Sequence, residues 1–323
     1  MQKERALAIL AVFAMLLAFG CAQAGNDGFQ ASPAPVVQNM TNSPVGNNTS
    51  TPQMLPNVSN GSCVANACEE APIGGTNGSA QVVAPRMEML SACKSDGWQT
   101  GTTYYLEKDI VFEKASGKAY CLEADAGGIT IDCRGHSIKQ DAAGSAWTGV
   151  FLANSTGWEI VNCTFEGFPT GIDAFGDSQG GLAIAGNRFS KCCNAMDIKN
   201  SANAIVENNT IAGCGLGGIV GGEPVSHGIR GYQLRASSIS NNRVEATGDG
   251  IIIEHSSNST VARNTVKGCM AGIKLYCGDG NTVSKNIVEG MRFGCINSAP
   301  KTAWCENEGN AIEGNEEKSC RQA

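Results

Sequence analysis

Two adjacent stretches of the chain decide its fold: residues 249–270, "DGIIIEHSSNSTVARNTVKGCM", and residues 271–292, "AGIKLYCGDGNTVSKNIVEGMR". They align over 22 residues without a gap. The matching positions are Gly250 with Gly272, Ile251 with Ile273, Ile253 with Leu275, Val261 with Val283, Asn264 with Asn286 and Val266 with Val288. Related units occupy 148–169, 170–193, 194–215, 227–248 and, in degenerate form, 293–316. A repeat of this length predicts a solenoid in which each unit is one turn.

The pattern inside each unit predicts strands. Apolar residues alternate over short runs, as at Ile251 and Ile253, and clusters of Gly, Ser and Asn separate the runs. One unit with two or three short strands cannot bury its own apolar face, whereas stacked units bury it in one continuous core. The chain has 41 glycines and only 16% charged residues, and helix-forming runs are few. We therefore expect an all-β parallel β-helix solenoid of about seven to eight coils.

Asparagine recurs at one position in five successive coils. The column consists of Asn187, Asn209, Asn242, Asn264 and Asn286. Asparagine tolerates the left-handed backbone region at a sharp turn, and side-chain amides stacked at the strand spacing can hydrogen-bond in a ladder. We predict such a ladder and assign it no chemistry.

The first 85 residues have a different character. Residues 1–24 resemble an export signal, with Lys3 and Arg5 before an apolar run and Ala22-Gln23-Ala24 at a cleavage position. Lipidation at Cys21 and an uncleaved signal anchor are alternatives, and membrane attachment is expected only through them. Residues 25–85 are rich in Asn, Pro, Ser, Thr and Gly and predict a disordered stalk. Its Asn-x-Ser/Thr triplets, compatible with glycosylation, begin at Asn39, Asn47, Asn48, Asn57, Asn60 and Asn77.

The chain has 15 cysteines, 14 of them beyond Cys21, which in an exported protein predicts disulfide bonds. Cys192 and Cys214 fall in adjacent coils and are either bonded to each other or small apolar fillers. Cys63 and Cys68 can close a loop in the stalk. Cys295, Cys305 and Cys320 can staple the C-terminal end of the solenoid.

The repeats resemble the right-handed parallel β-helices of the pectin-lyase-like superfamily, within the branch of carbohydrate-binding and sugar-hydrolase surface proteins that includes NosD-like proteins. "GTTYYLEKDIVFEKASGKAYCLEADAGGITIDCRGHSI", residues 101–138, is similar to the first strands of those proteins. The resemblance covers about residues 86–316. It implies an N-terminal cap and first strands over 86–126, a β-helix over 127–316 and a tail over 317–323. Because this fold hosts lyases, hydrolases and binders, it does not define the function.

Strand geometry places the second and fourth residues after each repeated glycine on the outer surface. These pairs are Phe151/Ala153, Asp173/Phe175, Asp197/Lys199, Arg230/Tyr232, Ile252/Glu254 and Lys274/Tyr276. Aromatic faces suit sugar rings, so we expect this surface to bind a polysaccharide, glycan or other surface polymer without cleaving it, in adhesion or the cell envelope. The residues selected for binding are Asp173, Phe175, Asp197, Arg230, Tyr232, Glu254 and Tyr276.

Three other functions stay open. Asp173 and Asp197 can serve as the acid and base of a polysaccharide hydrolase, with His227 as a further catalytic candidate. "SHGIRG", residues 226–231, resembles the Gly-His-Gly stretch of polygalacturonases, but their Asp-Asp pair is missing. A lyase would use the same aspartates with calcium. A spacer without any ligand is the third alternative.

Other ligands are not expected. A net charge of −7 argues against nucleic acid, because no basic stripe is present to neutralise phosphates. The three histidines, His136, His227 and His255, fall in different columns, so no copper site is predicted. Apart from calcium in a lyase, we expect no cofactor. Residues 216–226 interrupt the repeat, and Glu223 and His227 in or beside this insertion can line a local pocket.

Overall fold

The computed structural model describes residues 86–113, 118–141, 148–153, 156–176, 180–214, 219–220, 223–224, 226–298 and 308–321. The predicted signal and stalk, with the Asn-x-Ser/Thr triplets, Cys63 and Cys68, lie outside these residues, as does Cys305. Every regular element in the described ranges is a β-strand. None of these ranges contains a helix that is long and apolar enough to cross a membrane.

The strands form three parallel sheets. Sheet 1 contains β1 (Arg86–Leu90), β2 (Thr102–Leu106), β5 (Thr130–Asp132), β8 (Glu159–Val161), β11 (Ala183–Ala185), β14 (Ile205–Glu207), β19 (Ser238–Ser240), β22 (Thr260–Ala262), β25 (Thr282–Ser284) and β28 (Ala311–Glu313). Sheet 2 contains β4 (Tyr120–Ala124), β7 (Thr148–Ala153), β10 (Thr170–Phe175), β13 (Asn194–Lys199), β18 (His227–Tyr232), β21 (Asp249–Glu254), β24 (Ala271–Tyr276) and β27 (Ile296–Ser298). Sheet 3 contains β3 (Ile110–Phe112), β6 (Ser137–Gln140), β9 (Thr164–Glu166), β12 (Arg188–Ser190), β15 (Thr210–Ala212), β20 (Arg243–Glu245), β23 (Thr265–Lys267), β26 (Ile287–Glu289) and β29 (Glu316–Lys318).

Successive coils of the chain lay one strand on each sheet in turn, and each strand pairs with the equivalent strand of the next coil. The smallest of the three parallel sheets has eight strands within the described residues. The prediction of an all-β parallel β-helix with about seven to eight coils is therefore confirmed. The 216–226 insertion includes a short antiparallel hairpin of β16 (Ile219–Val220) and β17 (Glu223–Pro224) between β15 and β18.

The core lies between the three sheets. It is filled by the inward-facing apolar side chains of successive coils, which stack along the solenoid axis. In β10, Ile172 and Ala174 are buried in the core while Asp173 and Phe175 point away from it. The rings of Phe165 and Phe189, in neighbouring coils, stack with centroids 5.1 Å apart. This alternation is the period-two pattern that predicted the strands.

The repeated glycine of sheet 2 is required by close packing. A Cβ atom on Gly250 would meet Gly272 O at 2.6 Å and also collide with the Val266 side chain of sheet 3. Gly250 has no left-handed backbone angle, so the need is for space. The glycine at this position lets sheets 2 and 3 meet closely at one corner of each coil.

The asparagine ladder is present and longer than predicted. Asn264 Oδ1 accepts hydrogen bonds from the backbone N–H and the Nδ2 of Asn242, at 2.9 and 3.0 Å. Asn315 Oδ1 accepts the same pair from Asn286, both at 2.9 Å, and adds a further rung. The predicted reason was partly wrong, because the left-handed residue is the one before each ladder asparagine. These residues are Gly186, Asn208, Asn241, Arg263 and Lys285.

Disulfide bonds join neighbouring coils, as the cysteine count predicted. Cys93 bonds to Cys121, Cys133 to Cys163 and Cys295 to Cys320, and Cys193 and Cys277 are also disulfide-bonded. Cys295 and Cys320 are two of the three cysteines expected to staple the C-terminal end. Cys192, Cys214 and Cys269 are buried free thiols. The structure therefore favours the filler alternative for Cys192 and Cys214.

Candidate functional site

The outer face of sheet 2 carries the residues that the sequence selected. Strand register places the second-position residues in one column and the fourth-position residues in a parallel column. We call the selected set the outer strip, consisting of Asp173, Phe175, Asp197, Arg230, Tyr232, Glu254 and Tyr276. These residues lie on five consecutive strands, β10, β13, β18, β21 and β24, so the structure brings all of them onto one surface.

Lys199 links the two aspartates of the outer strip. Its Nζ lies 2.9 Å from Asp173 Oδ1 and 3.0 Å from Asp197 Oδ2. Burial alone would lower the pKa of Lys199, but the hydrogen bonds to Asp173 and Asp197 outweigh it and the pKa lies above its ordinary value. Lys199 therefore stays charged and neutralises part of the aspartate pair. The sequence placed Lys199 in the fourth-position column but did not select it.

Arg230 pairs mainly with Glu254. Its Nη2 and Nε lie 2.7 and 2.8 Å from Glu254 Oε2, whereas Nη1 lies 4.0 Å from Asp197 Oδ2. Burial opposes the charge of Arg230, yet the hydrogen bond to Glu254 raises its pKa above the ordinary value. Ion pairs thus run from coil to coil across the strip, linking Asp173, Lys199, Asp197, Arg230 and Glu254.

The aromatic residues of the strip alternate with the charged residues in the fourth-position column. Phe175 is 41% exposed, and Tyr232 and Tyr276 are half-buried. The Arg230 guanidinium lies 5.9 Å from the Tyr232 ring centroid, and the His255 ring meets Tyr232 edge-on with centroids 5.4 Å apart. These contacts hold the Tyr232 ring in place on the surface.

A further aromatic pair extends this face toward the N-terminus. Tyr120 and Phe151 stack in parallel, with ring centroids 4.4 Å apart. Phe151 pairs in register with Asp173, the first residue of the strip. The sequence assigned Phe151 to the outer column but did not select it, and Tyr120 precedes the repeats that defined the columns.

His227 lies on the same strand as Arg230 but is buried. Burial, helped by the positive charges of Arg230 and Lys199, lowers the pKa of His227 to about 3. Its Nε2 has no hydrogen-bond partner among the described residues, and neither does Asp197 Oδ1. His227 is therefore a buried, neutral imidazole near Arg230 and Lys199. Most of the insertion that was predicted to form a pocket beside it lies outside the described residues.

The C-terminal half of the second-position column is also buried, which the sequence did not indicate. Ile252 and Lys274 were expected on the surface because they point outward, yet both are buried. Lys274 Nζ lies 3.0 Å from Asp249 Oδ2, and the two side chains are only 6% and 4% exposed. Asp249 immediately precedes the repeated Gly250, and its partner Lys274 lies 25 residues later in the chain. Because this separation differs from the 22-residue repeat, aligning the repeats does not predict the ion pair.

Three other places in the structure were considered as possible sites: Glu223, clusters of metal-binding side chains, and a surface depression. Glu223 lies in β17, but its side chain is outside what the structure describes. In the described ranges, no three His, Cys, Asp or Glu side chains lie close enough to hold a metal ion. An open depression of about 440 Å³ lies away from the outer strip and is lined by residues that include Asp132, Arg134, Asn162 and Arg188.

Comparison with known proteins supports the assignment of the chain as a β-helix solenoid. The family model described as "Right handed beta helix region" matches residues 148–316, just over half of the 323-residue chain. The chain belongs to the right-handed β-helix family. The family match confirms the predicted superfamily and fold class. No curated protein matches the sequence of this β-helix protein.

Two solved structures are similar to this β-helix protein in outline. One is a mutant of the periplasmic alginate epimerase AlgG, with 11% identity, a TM-score of 0.38, and coverage of 68% of this chain and 75% of that chain. The other is the A-module of the Azotobacter vinelandii mannuronan C-5 epimerase AlgE4, with 10% identity, a TM-score of 0.35, and coverage of 73% and 86%. Similarity at this level says nothing about activity or substrate.

Proposed function

We propose that this exported β-helix protein binds polysaccharide along the outer strip without cleaving it. The observation that carries the proposal is the composition of one surface, where Phe175, Tyr232 and Tyr276 lie beside charged side chains that are already paired. Rings on a flat sheet offer apolar faces to sugar rings, and the neighbouring carboxylates and cations offer hydrogen bonds to hydroxyl groups.

The position of Lys199 supports binding over hydrolysis. Glycosidic cleavage needs one carboxylic acid that carries a proton and one carboxylate that acts as base or nucleophile. Lys199 contacts both Asp173 and Asp197, so one cation is the ion-pair partner of both carboxylates. The two aspartates therefore share one partner instead of having the two distinct environments that separate acid and base roles require.

One observation favours a polysaccharide hydrolase or lyase as the second candidate. Asp197 Oδ1 and His227 Nε2 are buried polar atoms without hydrogen-bond partners among the described residues. Unsatisfied polar atoms are uncommon and often mark functional sites. Under this candidate Asp173 and Asp197 are the reacting carboxylates and neutral His227 assists them. In the lyase form, calcium would bind at the aspartates.

Export is supported by two features. The disulfide bonds between coils persist in oxidising compartments and are rare in the cytosol. Residues 1–24 have the charge and apolar pattern of an export signal. An extracellular or cell-surface location gives a polysaccharide-binding strip access to its ligand.

The test separates binding from cleavage. The full chain is incubated with immobilised neutral and acidic polysaccharides, with and without calcium, and both retention and new reducing or unsaturated ends are measured. We expect retention without new ends, and weaker retention for Phe175→Ala and Tyr232→Ala. Asp197→Asn serves as the catalytic control.

Two results would contradict the proposal. New ends that form with the wild-type chain and disappear with Asp197→Asn would establish the hydrolase or lyase. Absence of retention on every polysaccharide would leave the protein as a structural spacer.

A further inference from the structure

We infer that the ligand of the outer strip is an extended, uncharged polysaccharide that contacts one aromatic residue at every second coil. The inference rests on the proposed function and goes beyond it by naming the chemical class and the register of the ligand. Its basis is the order of residues in the fourth-position column and the balance of charge beside them.

The order in the column is strictly alternating. Strand pairing places Phe175, Lys199, Tyr232, Glu254 and Tyr276 in register on consecutive strands. The aromatic rings are therefore two coils apart, which at a strand spacing of about 4.8 Å is about 10 Å. Two pyranose units of an extended β-linked glycan span a similar length. A glycan lying along the solenoid axis can thus place every second sugar over a ring.

The column also sets the length of the ligand. Four strand spacings separate Phe175 from Tyr276, which makes about 19 Å, or about four sugars of an extended chain. A helical glycan, such as an α-linked glucan, curves away from a straight row of rings. The row therefore favours an extended backbone over a coiled one.

The charges beside the rings disfavour an acidic polymer. The strip and Lys199 together hold three carboxylates, those of Asp173, Asp197 and Glu254, against two cations. Both cations are occupied, since Lys199 contacts two aspartates and Arg230 contacts Glu254 at 2.7 Å. A uronate carboxylate would need to displace one of these partners and would face the others as like charges.

A neutral sugar meets complementary groups on the same surface. Each carboxylate offers about four acceptor positions, and the ion pairs with Lys199 and Arg230 engage only some of them. The side chains of Asp173 and Glu254 keep 26% and 23% of their surface exposed. Vicinal hydroxyl groups are donors, so they can hydrogen-bond to these oxygens without breaking the ion pairs. A ligand rich in hydroxyl groups and free of charge therefore fits the strip best.

The experiment compares charge, backbone shape and length. Affinities of the full chain are measured for three polymers: an extended neutral β-1,4-linked glycan, a coiled neutral α-1,4-linked glucan and a polyuronate. Neutral β-1,4-linked oligosaccharides of two to eight units follow, and each titration is repeated at low and high salt. The variants are Tyr232→Ala and, as a matched control, Tyr105→Ala, because Tyr105 is a tyrosine of sheet 1 that also stacks against an arginine, Arg134.

We expect the extended neutral glycan to bind at least tenfold more tightly than either other polymer. Its affinity should rise up to about four or five units, level off beyond that, and change little with salt. Tyr232→Ala should weaken it about tenfold, the effect of losing about 1.4 kcal/mol at a central contact. Tyr105→Ala should leave it unchanged.

Failure of the inference can be told apart from failure of the proposed function. A polyuronate that binds more tightly and is weakened by Tyr232→Ala overturns the neutral class while the strip remains a binding site. Equal affinity for two and eight units overturns the two-coil register. No binding of any polymer, or equal loss with Tyr105→Ala, overturns the binding strip itself.

Discussion

At the scale of single residues, His227 shows how a buried group links the outer face of sheet 2 to stability. Its neutral imidazole lies close to the positive charges of Lys199 and Arg230, and its pKa is lowered to about 3. The unfolded chain has an ordinary histidine pKa of 6.5 and so takes up a proton at a higher pH than the folded chain does.

Acid should therefore destabilise the protein through His227. The stabilisation is complete above pH 6.5 and is lost as the pH falls toward about 3, by roughly 1.4 kcal/mol per pH unit. His227→Asn, which copies Asn194 of the neighbouring coil, should show a shallower fall in melting temperature between pH 7 and 4. Asp109, whose pKa is lowered by hydrogen bonds with Ser137, acts in the same direction in both proteins. Identical pH profiles for the two proteins would contradict this role of His227.

The asparagine ladder makes a second prediction at this scale. Asn264→Ala leaves the buried backbone N–H of Asn242 without its acceptor, at a cost of about 1–3 kcal/mol, whereas Asn242 Nδ2 keeps its bonds to Val206 O and Ser240 O. The matched control is Asn315→Ala, since Asn315 accepts an equivalent pair at the partly exposed end of the ladder. Hydrogen exchange at the amide of residue 242 should accelerate strongly in Asn264→Ala and stay unchanged in Asn315→Ala. Equal protection of that amide in Asn264→Ala would show that the ladder contributes little.

At the scale of elements, cysteines lie close together in neighbouring coils, and some of these pairs form disulfide bonds while others remain free thiols. Cys133–Cys163 joins adjacent coils with Cα atoms 4.7 Å apart, and Cys93–Cys121 does so at 4.6 Å. Cys192 and Cys214 follow the paired strands β12 and β15, and a hydrogen bond with Cys214, together with burial, raises the pKa of the Cys192 thiol well above its ordinary value. The Cys192 thiol therefore stays protonated and unreactive in the folded core, and Cys214 is buried beside it.

Oxidation should join Cys192 to Cys214 only when the fold opens. We expect oxidised glutathione to leave both thiols free in the folded protein and to yield a Cys192–Cys214 bond after partial unfolding and refolding. Alkylation in denaturant followed by mass spectrometry counts the remaining thiols, and Cys269, which contacts Thr247, is the internal control. Rapid bond formation in the folded protein would contradict the inert, buried state of the pair.

The repeat predicted the strands well because a fixed length of 22 residues also fixes which residues of neighbouring strands pair with each other. Once Gly250 is aligned with Gly272, the columns of sheet 2 follow from counting, and the structure has the same columns. The pairing of charges did not follow, since Lys199 reaches aspartates in two coils and Asp249 reaches Lys274 across 25 positions. Period-two alternation assigns a side chain to a face of the sheet but does not give its exposure, which is why the burial of Ile252 and Lys274 was missed.

At the scale of the whole molecule, the solenoid presents one ordered surface over several coils. On sheet 2 each coil adds one outward pair of residues, so a polymer lying along the solenoid axis meets a new pair at every strand spacing. We expect the affinity of the outer strip for a polymer to depend on all of its aromatic rings together, although these rings lie many residues apart in the sequence.

Hydroxyl-radical footprinting of the full chain, with and without a saturating extended neutral glycan, shows whether a bound glycan covers the outer strip. We expect the glycan to reduce oxidation of Phe175, Tyr232 and Tyr276, while Met87 and Met89, exposed on sheet 1, are oxidised equally in both samples. Unchanged oxidation of the three rings under conditions where the glycan is bound would place the ligand on another surface and rule out the outer strip as its binding site.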